Sequence, residues 1–392
     1  MASIVRFLLP FYDPSAQTWS FEARALRWLT FLWLSVGLVV MFSASYVAAG
    51  AERGDNLYFF KGQLVWIFLG LTCFNILVHS SMRYALGLAD WGIMIFLGLI
   101  LATLIPGIGT TVNGATRWLV IGPAAIQPSE MIKPFLVLQG ARVFGQWDRL
   151  SWTVRLTWLG IFMIILGGIL VQPNLSTAAL CGIIIWLLAL ASGMPYRYLG
   201  TAAGAGVLVA VVSVSIKTYQ RRRLTSFLNP WVDAQEDGYQ LVQSLLAIGS
   251  GGFWGTGFGL SQQKLFYLPI QYTDFIFSVF AEEFGFVGCL LLFLMLATYA
   301  TLALRVAIRA YNPVHRLVAI GIMILMVGQS LLNIGVATGA LPTTGLPFPL
   351  FSYGGSSMIA SLVAAGLLVR VARENTSAEV LALNQNVQLE EQ

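Results

Sequence analysis

Asp274 stands in YLPIQYTDFIFSVFAEEFGF, where a polar approach meets an apolar segment long enough to enter a membrane. A carboxylate at that boundary can cap a helix, with Thr273 sharing the role. It can also act as a general base, because partial desolvation by apolar surroundings raises a carboxyl pKa and lets it accept a hydroxyl proton. The two roles are compatible. Glu282 lies about 80° round a helix from Asp274 and roughly 12 Å deeper, with Glu283 facing away. Ionisable groups at that depth read equally as functional or as partners of a neighbouring helix.

Cations accompany this carboxylate. In RWLVIGPAAIQPSEMIKP, Arg117 and Lys133 can face an anionic headgroup such as a pyrophosphate, Arg as a bidentate fork and Lys as a point charge. The competing reading pairs Lys133 with Glu130 across one helical turn. Pro128 suits a first helical turn, and Ser129 can bond a ligand or its own backbone. Lys264 precedes Asp274 by a short loop and can either reach the same pocket or stand as a solvated loop lysine. Arg221, Arg222 and Arg223 form a basic run suited to anionic lipid heads. Asn333, Ser352, Tyr353, Ser356 and Ser357 supply neutral hydrogen-bonding groups that also suit helix contacts. GSGGFWGTGFGL has the glycine density of a phosphate loop, yet no strand precedes it and no Lys-Ser/Thr follows, which argues against a nucleotide site. His79 and His315 have no partner at ligand spacing, and Asp90 is the one acidic group near the opposite side of the membrane body.

The elements that position these groups follow from composition. Hydrophobic residues make up 57% of the 392 residues and charged ones 10%, far from the roughly 25% charged content of soluble domains. Mean hydropathy is +0.78. Apolar windows near the ~20 residues that cross a bilayer fall at about 26–49, 60–79, 84–105, 128–145, 154–172, 175–193, 196–216, 273–302, 315–340 and 352–371. The fold expected is an all-α integral membrane protein of about ten transmembrane helices, with both termini cytoplasmic and a large extracytoplasmic loop between helices 7 and 8. The bias of basic residues towards cytoplasmic loops sets this orientation. It puts Arg6, Arg24, Arg27, Arg83, Arg142, Arg149, Arg155, Arg197, Arg305, Arg309, Arg316, Arg370 and Arg373 inside, and leaves Arg53, Lys61 and Arg117 in short outer loops. The net charge of +5 therefore reflects topology rather than a nucleic-acid partner. The first apolar window is too long for a signal-peptide core and reads as an uncleaved anchor. Cys73, Cys181 and Cys289 lie in apolar segments without metal-type spacing and read as packing residues.

The domain organisation expected is a cytoplasmic segment 1–24, one polytopic membrane domain 25–372 with a long outer loop at about 217–272, and a cytoplasmic polar tail 373–392, frayed or disordered. Polar, Gly-rich and Pro-rich residues concentrate in 106–127, in that long loop and in LPTTGLPFPLFSYGGSS. Irregular backbone near a bilayer must be buried in protein or line a watery cavity, so these loops are expected to fold together over an outward-facing pocket.

The ordered run of SAS at 43–45, GATRW, QPSEMIK, YQRRRLTSFLNP, GYQLVQSLLAIGSGG, GTGFGLSQQKLFYLP, TDFIF, AEE and LLNIGVATGALPTTGLPFPLFSYGGSS resembles the SEDS family of bacterial cell-wall polymerases, comprising FtsW, RodA and SpoVE. The motif region near the C-terminus looks most like FtsW. The resemblance implies a ten-helix peptidoglycan glycosyltransferase that polymerises lipid II on the outer face of the cytoplasmic (inner) membrane. It places the family's essential carboxylate on Asp274. It puts the substrate-binding positions on Arg117, Gln127, Ser129, Glu130 and Lys133, to which the residue reading adds Lys264 and Ser356. It further implies a class B penicillin-binding transpeptidase and other division or elongation proteins as partners. No metal site is expected among these residues and no cofactor is implied, save the option of a divalent cation. Three positions depart from the family pattern. Asn174 stands where an acidic residue is usual, Ile270 where Glu is, and Tyr272 where His is, so Asp274 is expected to depend on burial, Arg117 and Lys264. The rival readings are a lipid II flippase, which would need a midplane site and inverted repeats, and a non-catalytic division scaffold.

Overall fold

The computed structural model describes residues 14–112, 115–122 and 124–390; Arg6 and the rest of the first thirteen residues, Gly114 of GATRW, and the last two residues lie outside them. Helices dominate: α1 Phe21–Arg53, α2 Tyr58–His79, α3 Met82–Ala102, α4 Pro128–Gly145, α5 Trp152–Val171, α6 Leu175–Ala191, α7 Tyr196–Ile216, α8 Thr218–Leu228, α9 Tyr239–Ser250, α10 Ile276–Ile308, α11 Pro313–Ala337 and α12 Gly355–Glu390. Side-chain oxygens start several of them. Ser20, Ser151, Asn174 and Asn312 accept from the first-turn amides of α1, α5, α6 and α11. Each of the ten apolar windows falls on one helix. Eight of these helices are long and apolar enough to cross a membrane among the described residues; α6 is shorter, and α4 carries charge. The polar tail continues α12 as helix through Glu390.

Two features depart from an all-helical chain. Residues 110–126 form a three-stranded antiparallel sheet, β1 Thr110–Val112, β2 Ala115–Ile121 and β3 Ala124–Ile126, in the order β1-β2-β3. β-branched and aromatic residues in TRWLVI favour this pairing. The long segment 217–272 is likewise not an open loop, since it holds α8 and α9.

α4 is the central helix, packing against α3, α6, α11 and α12, while α12 lies along α2. Glu130 and Lys133 of α4 are therefore buried in protein, while the Arg142 side chain is 42% exposed and pairs with Asp90. Two irregularities shape α10 and α11. α10 breaks at Gly285, where φ is +64° and ψ −164°. The loop after α9 fills the break: Thr256 and Gly257 amides donate to the carbonyls of Glu282 and Glu283, and Phe286 donates to Gly252. α11 contains a π segment, Ile324–Gly328, which re-aims the polar residues that follow it.

Candidate active site

Asp274 sits two residues before α10 and does not cap it; Phe275 occupies the cap position and no side chain bonds there. The segment is held from outside the helix instead. Asn333 Nδ2 donates to the Asp274 carbonyl (2.7 Å) and to the Leu346 carbonyl (2.9 Å). Ser352 Oγ donates to the Thr273 carbonyl (2.6 Å), and the Tyr353 amide donates to the Tyr272 carbonyl (2.9 Å). Asn333 of α11 and the loop joining α11 to α12 thus grip residues 272–274 one carbonyl at a time. This leaves the Asp274 carboxylate free, half-buried, and bordered by Gly345, whose φ is +73° and where a Cβ would stand 3.4 Å from Asp274 Oδ2.

Burial pushes the Asp274 carboxyl up from its ordinary range; the Arg117 guanidinium, then that of Arg223, pulls it back, and the Glu130 carboxylate adds to the rise. Arg117 comes from β2. Period-2 alternation sets it on the face of the buried Leu119, opposite Val120, which is 54% exposed. Its Nε is buried without a partner, which is costly unless a ligand completes it. Arg223 comes from α8, and its Nη1 donates to the Thr343 carbonyl (3.2 Å). In sequence it is one of three arginines suited to lipid heads; contact with the α11–α12 loop is what singles it out.

The residues at the start of α4 stand near enough for Glu130 to act on the Asp274 carboxyl. Lys133 Nζ bonds Glu130 Oε1 at 2.6 Å and Gln329 Oε1 at 3.1 Å, while Gln329 Nε2 donates to the Pro347 carbonyl (2.7 Å). The helical-pair reading of Glu130 and Lys133 is thus the geometry observed, with Lys133 1% exposed. The Gln127 amide donates to Ser356 Oγ (2.9 Å) and its Nε2 to Ser129 Oγ (3.3 Å). Gln127, Ser129, Glu130, Lys133 and Ser356 are therefore brought together, joining α4, α11 and α12. Lys264 is not among them. Its ammonium is committed to Glu283 Oε1 (2.7 Å) and Ser43 Oγ (2.8 Å), so Arg223 takes the place beside Asp274 expected of it.

Two of the three departures, Asn174 and Tyr272, have local explanations. Asn174 caps α6 by accepting from the Thr177 amide. Tyr272 stacks on Phe59 with ring centroids 4.6 Å apart, and burial pushes its phenol up to about 12. Ile270 lies in the left-handed region at φ +49°. Elsewhere Asp90 pairs with Arg142 at 2.7 Å, and His315 lies 3.7 Å from Glu374. A divalent cation held by the protein does not fit beside Asp274. The guanidiniums of Arg117 and Arg223 already act on that carboxylate, Glu130 is taken by Lys133, and no three His, Cys, Asp or Glu side chains gather at one point among the described residues.

Fold and site together define a multi-pass membrane protein with a carboxylate and two guanidiniums gathered at one end of its helices. The chain belongs to the FtsW/RodA/SpoVE family, whose model, described as cell cycle protein, matches residues 24–377. It is 57% identical over 382 residues to a probable peptidoglycan glycosyltransferase FtsW of Synechocystis, covering 97% of each chain. It is 34% identical to the stage V sporulation protein E of Bacillus subtilis, covering 88% of this chain and 95% of that one. Among solved structures, a chain of a peptidoglycan synthase complex that coordinates polymerization and crosslinking superposes with a TM-score of 0.73 at 30% identity, covering 91% of this chain and 98% of that one. The rod shape determining protein RodA of Thermus thermophilus gives 0.65 at 29% identity, covering 91% and 97%.

Proposed function

We propose that the chain is a peptidoglycan glycosyltransferase of the FtsW type, polymerising lipid II on the outer face of a bacterial cytoplasmic (inner) membrane through about ten spans with both termini inside. The observation that carries this reading is the half-buried Asp274 carboxylate, raised by burial and drawn back towards its ionised form by the guanidiniums of Arg117 and Arg223. Asp274 takes the proton from the acceptor sugar's 4-hydroxyl as that oxygen forms a bond to the donor's anomeric carbon. The bond from that carbon to the pyrophosphate oxygen breaks with inversion, and the electron pair leaves with the polyprenyl pyrophosphate. Arg117 and Arg223 are placed to neutralise the departing phosphates. Lys133, already paired with Glu130, supports them by fixing the start of α4. The class of its structural relatives supports a partnership with a transpeptidase of the class B penicillin-binding type.

Full-length protein in lipid vesicles given lipid II tests the assignment. Asp274→Asn is expected to lower the polymerisation rate about 10²–10⁴-fold, the usual contribution of a general base. Polymer made at the normal rate would refute it. Translocation of lipid II across the same vesicles without polymerisation would favour the flippase instead.

A further inference from the structure

One buried polar cluster lies away from the Asp274 carboxylate and takes no part in the transfer. Lys264 Nζ, Ser43 Oγ and Glu283 Oε1 close a triangle, with Ser43 donating to Glu283 (2.6 Å) and Lys264 donating to both. The side chains of Lys264 and Glu283 are 5% and 0% exposed. Next to it, Gln271 Nε2 donates to the carbonyls of Ala44 (3.1 Å) and Lys264 (3.2 Å). Glu282 accepts from the amides of Gln262 (2.8 Å) and Gln263 (3.4 Å) and from Ser261 Oγ. The short segment before α10 is therefore held both by α1, 221 residues away in the Ser43–Lys264 contact, and by α10. Within that segment Phe266 (φ +71°) and Ile270 (φ +49°) are held in a left-handed conformation that non-glycine side chains avoid. Strain of this kind persists only where the surroundings over-determine it, and it concentrates where a functional group is being aimed.

We propose that Ser43, Lys264, Gln271 and Glu283 form a positioning clamp that fixes the strained segment ahead of Asp274 and so sets where its carboxylate stands. Asn333 and the α11–α12 loop hold residues 272–274, and the clamp holds residues 264–271. This rests on Asp274 being the base of the proposed transfer. None of the four residues touches the reacting atoms. They act through Gln271, whose side chain ties the segment to α1 three positions before Asp274.

Gln271→Ala is the first test, since it removes two hydrogen bonds without stranding the buried Glu283 charge, as a Lys264 change would. Ser43→Ala loosens the clamp from α1 and serves as the second. Initial polymerisation rates of the full chain in vesicles are measured against lipid II concentration and pH, alongside thermal melting. Each variant is expected to lower kcat roughly tenfold to a hundredfold, the scale of an ångström-sized misplacement, with KM nearly unchanged. The acid limb of the pH profile should move towards lower pH, because a loosened segment hydrates a carboxylate otherwise faced by Arg117, Arg223 and Glu130. Lower melting temperatures with kcat per folded molecule and the acid limb unchanged would overturn the clamp while leaving the base intact. An active Asp274→Asn protein would instead overturn the base, and with it the purpose assigned to the clamp.

Discussion

At the scale of the residue, the decisive quantity is the proton affinity of Asp274. Burial raises it, and Arg117 and then Arg223 lower it. A general base works ionised, so the acid limb of the polymerisation rate should fall above the ordinary carboxylate range. Arg117→Ala should push that limb to higher pH and Arg223→Ala should do so less, because each removes a charge that favours the ionised form; pH–rate profiles read both shifts. Stability runs the other way. A carboxyl raised in the fold contributes stability below its unfolded pKa and loses it as pH rises through the folded pKa. Asp274→Asn is therefore expected to melt higher than the unchanged protein at neutral pH, with the gap closing as pH falls through the raised value. Gly345→Ala should act on the same carboxylate. It places a Cβ 3.4 Å from Oδ2 and costs roughly 1–2 kcal/mol for the left-handed backbone, seen as a lower melting temperature and reduced turnover.

At the scale of the element, helix breaks do as much as helices. Gly285 interrupts α10 in a conformation that only glycine adopts readily, and its Cβ position is filled by the backbone of the loop that follows α9. Gly285→Ala should lose about 1–3 kcal/mol to backbone strain alone, plus the collision with Gly255; purified yield and melting temperature measure it. The apolar windows are legible because burial in lipid or protein demands long apolar runs. The break is not, since a glycine inside such a run leaves no periodic trace. Nor is the sheet at 110–126 legible as a sheet, because three short strands lie among turn residues and only TRWLVI has strand character. Asp274, Arg117 and the α4 cluster are visible as polar groups at the ends of apolar segments. The placing of Lys264 on Ser43 and of Arg223 on the α11–α12 loop depends on contacts between residues far apart in sequence. Spacing along the chain cannot fix such contacts.

At the scale of the whole molecule, the open quantity is how many helices cross, and α4 decides it. Composition admits eight spans, leaving out α4 with its Glu130, Lys133 and Arg142 and the shorter α6. Those two helices pack against each other near the centre of the protein, where charges paired within protein avoid the cost of lipid exposure. If both cross, the chain after α4 returns to the side of the termini; if neither does, it stays with the 110–126 sheet. Asp148, exposed in the short link between α4 and α5, therefore reports the count. With Cys73, Cys181 and Cys289 replaced, Asp148→Cys should react with a membrane-impermeant thiol reagent from the cytoplasmic side only. It should match Tyr311→Cys, 74% exposed between α10 and α11, and oppose Ile108→Cys, 50% exposed before β1. Labelling of Asp148→Cys together with Ile108→Cys would reduce the spans to eight and put α4 back under the outer pocket. The Glu130–Lys133 pair would then belong to a half-inserted element rather than to the central post on which α3, α11 and α12 pack.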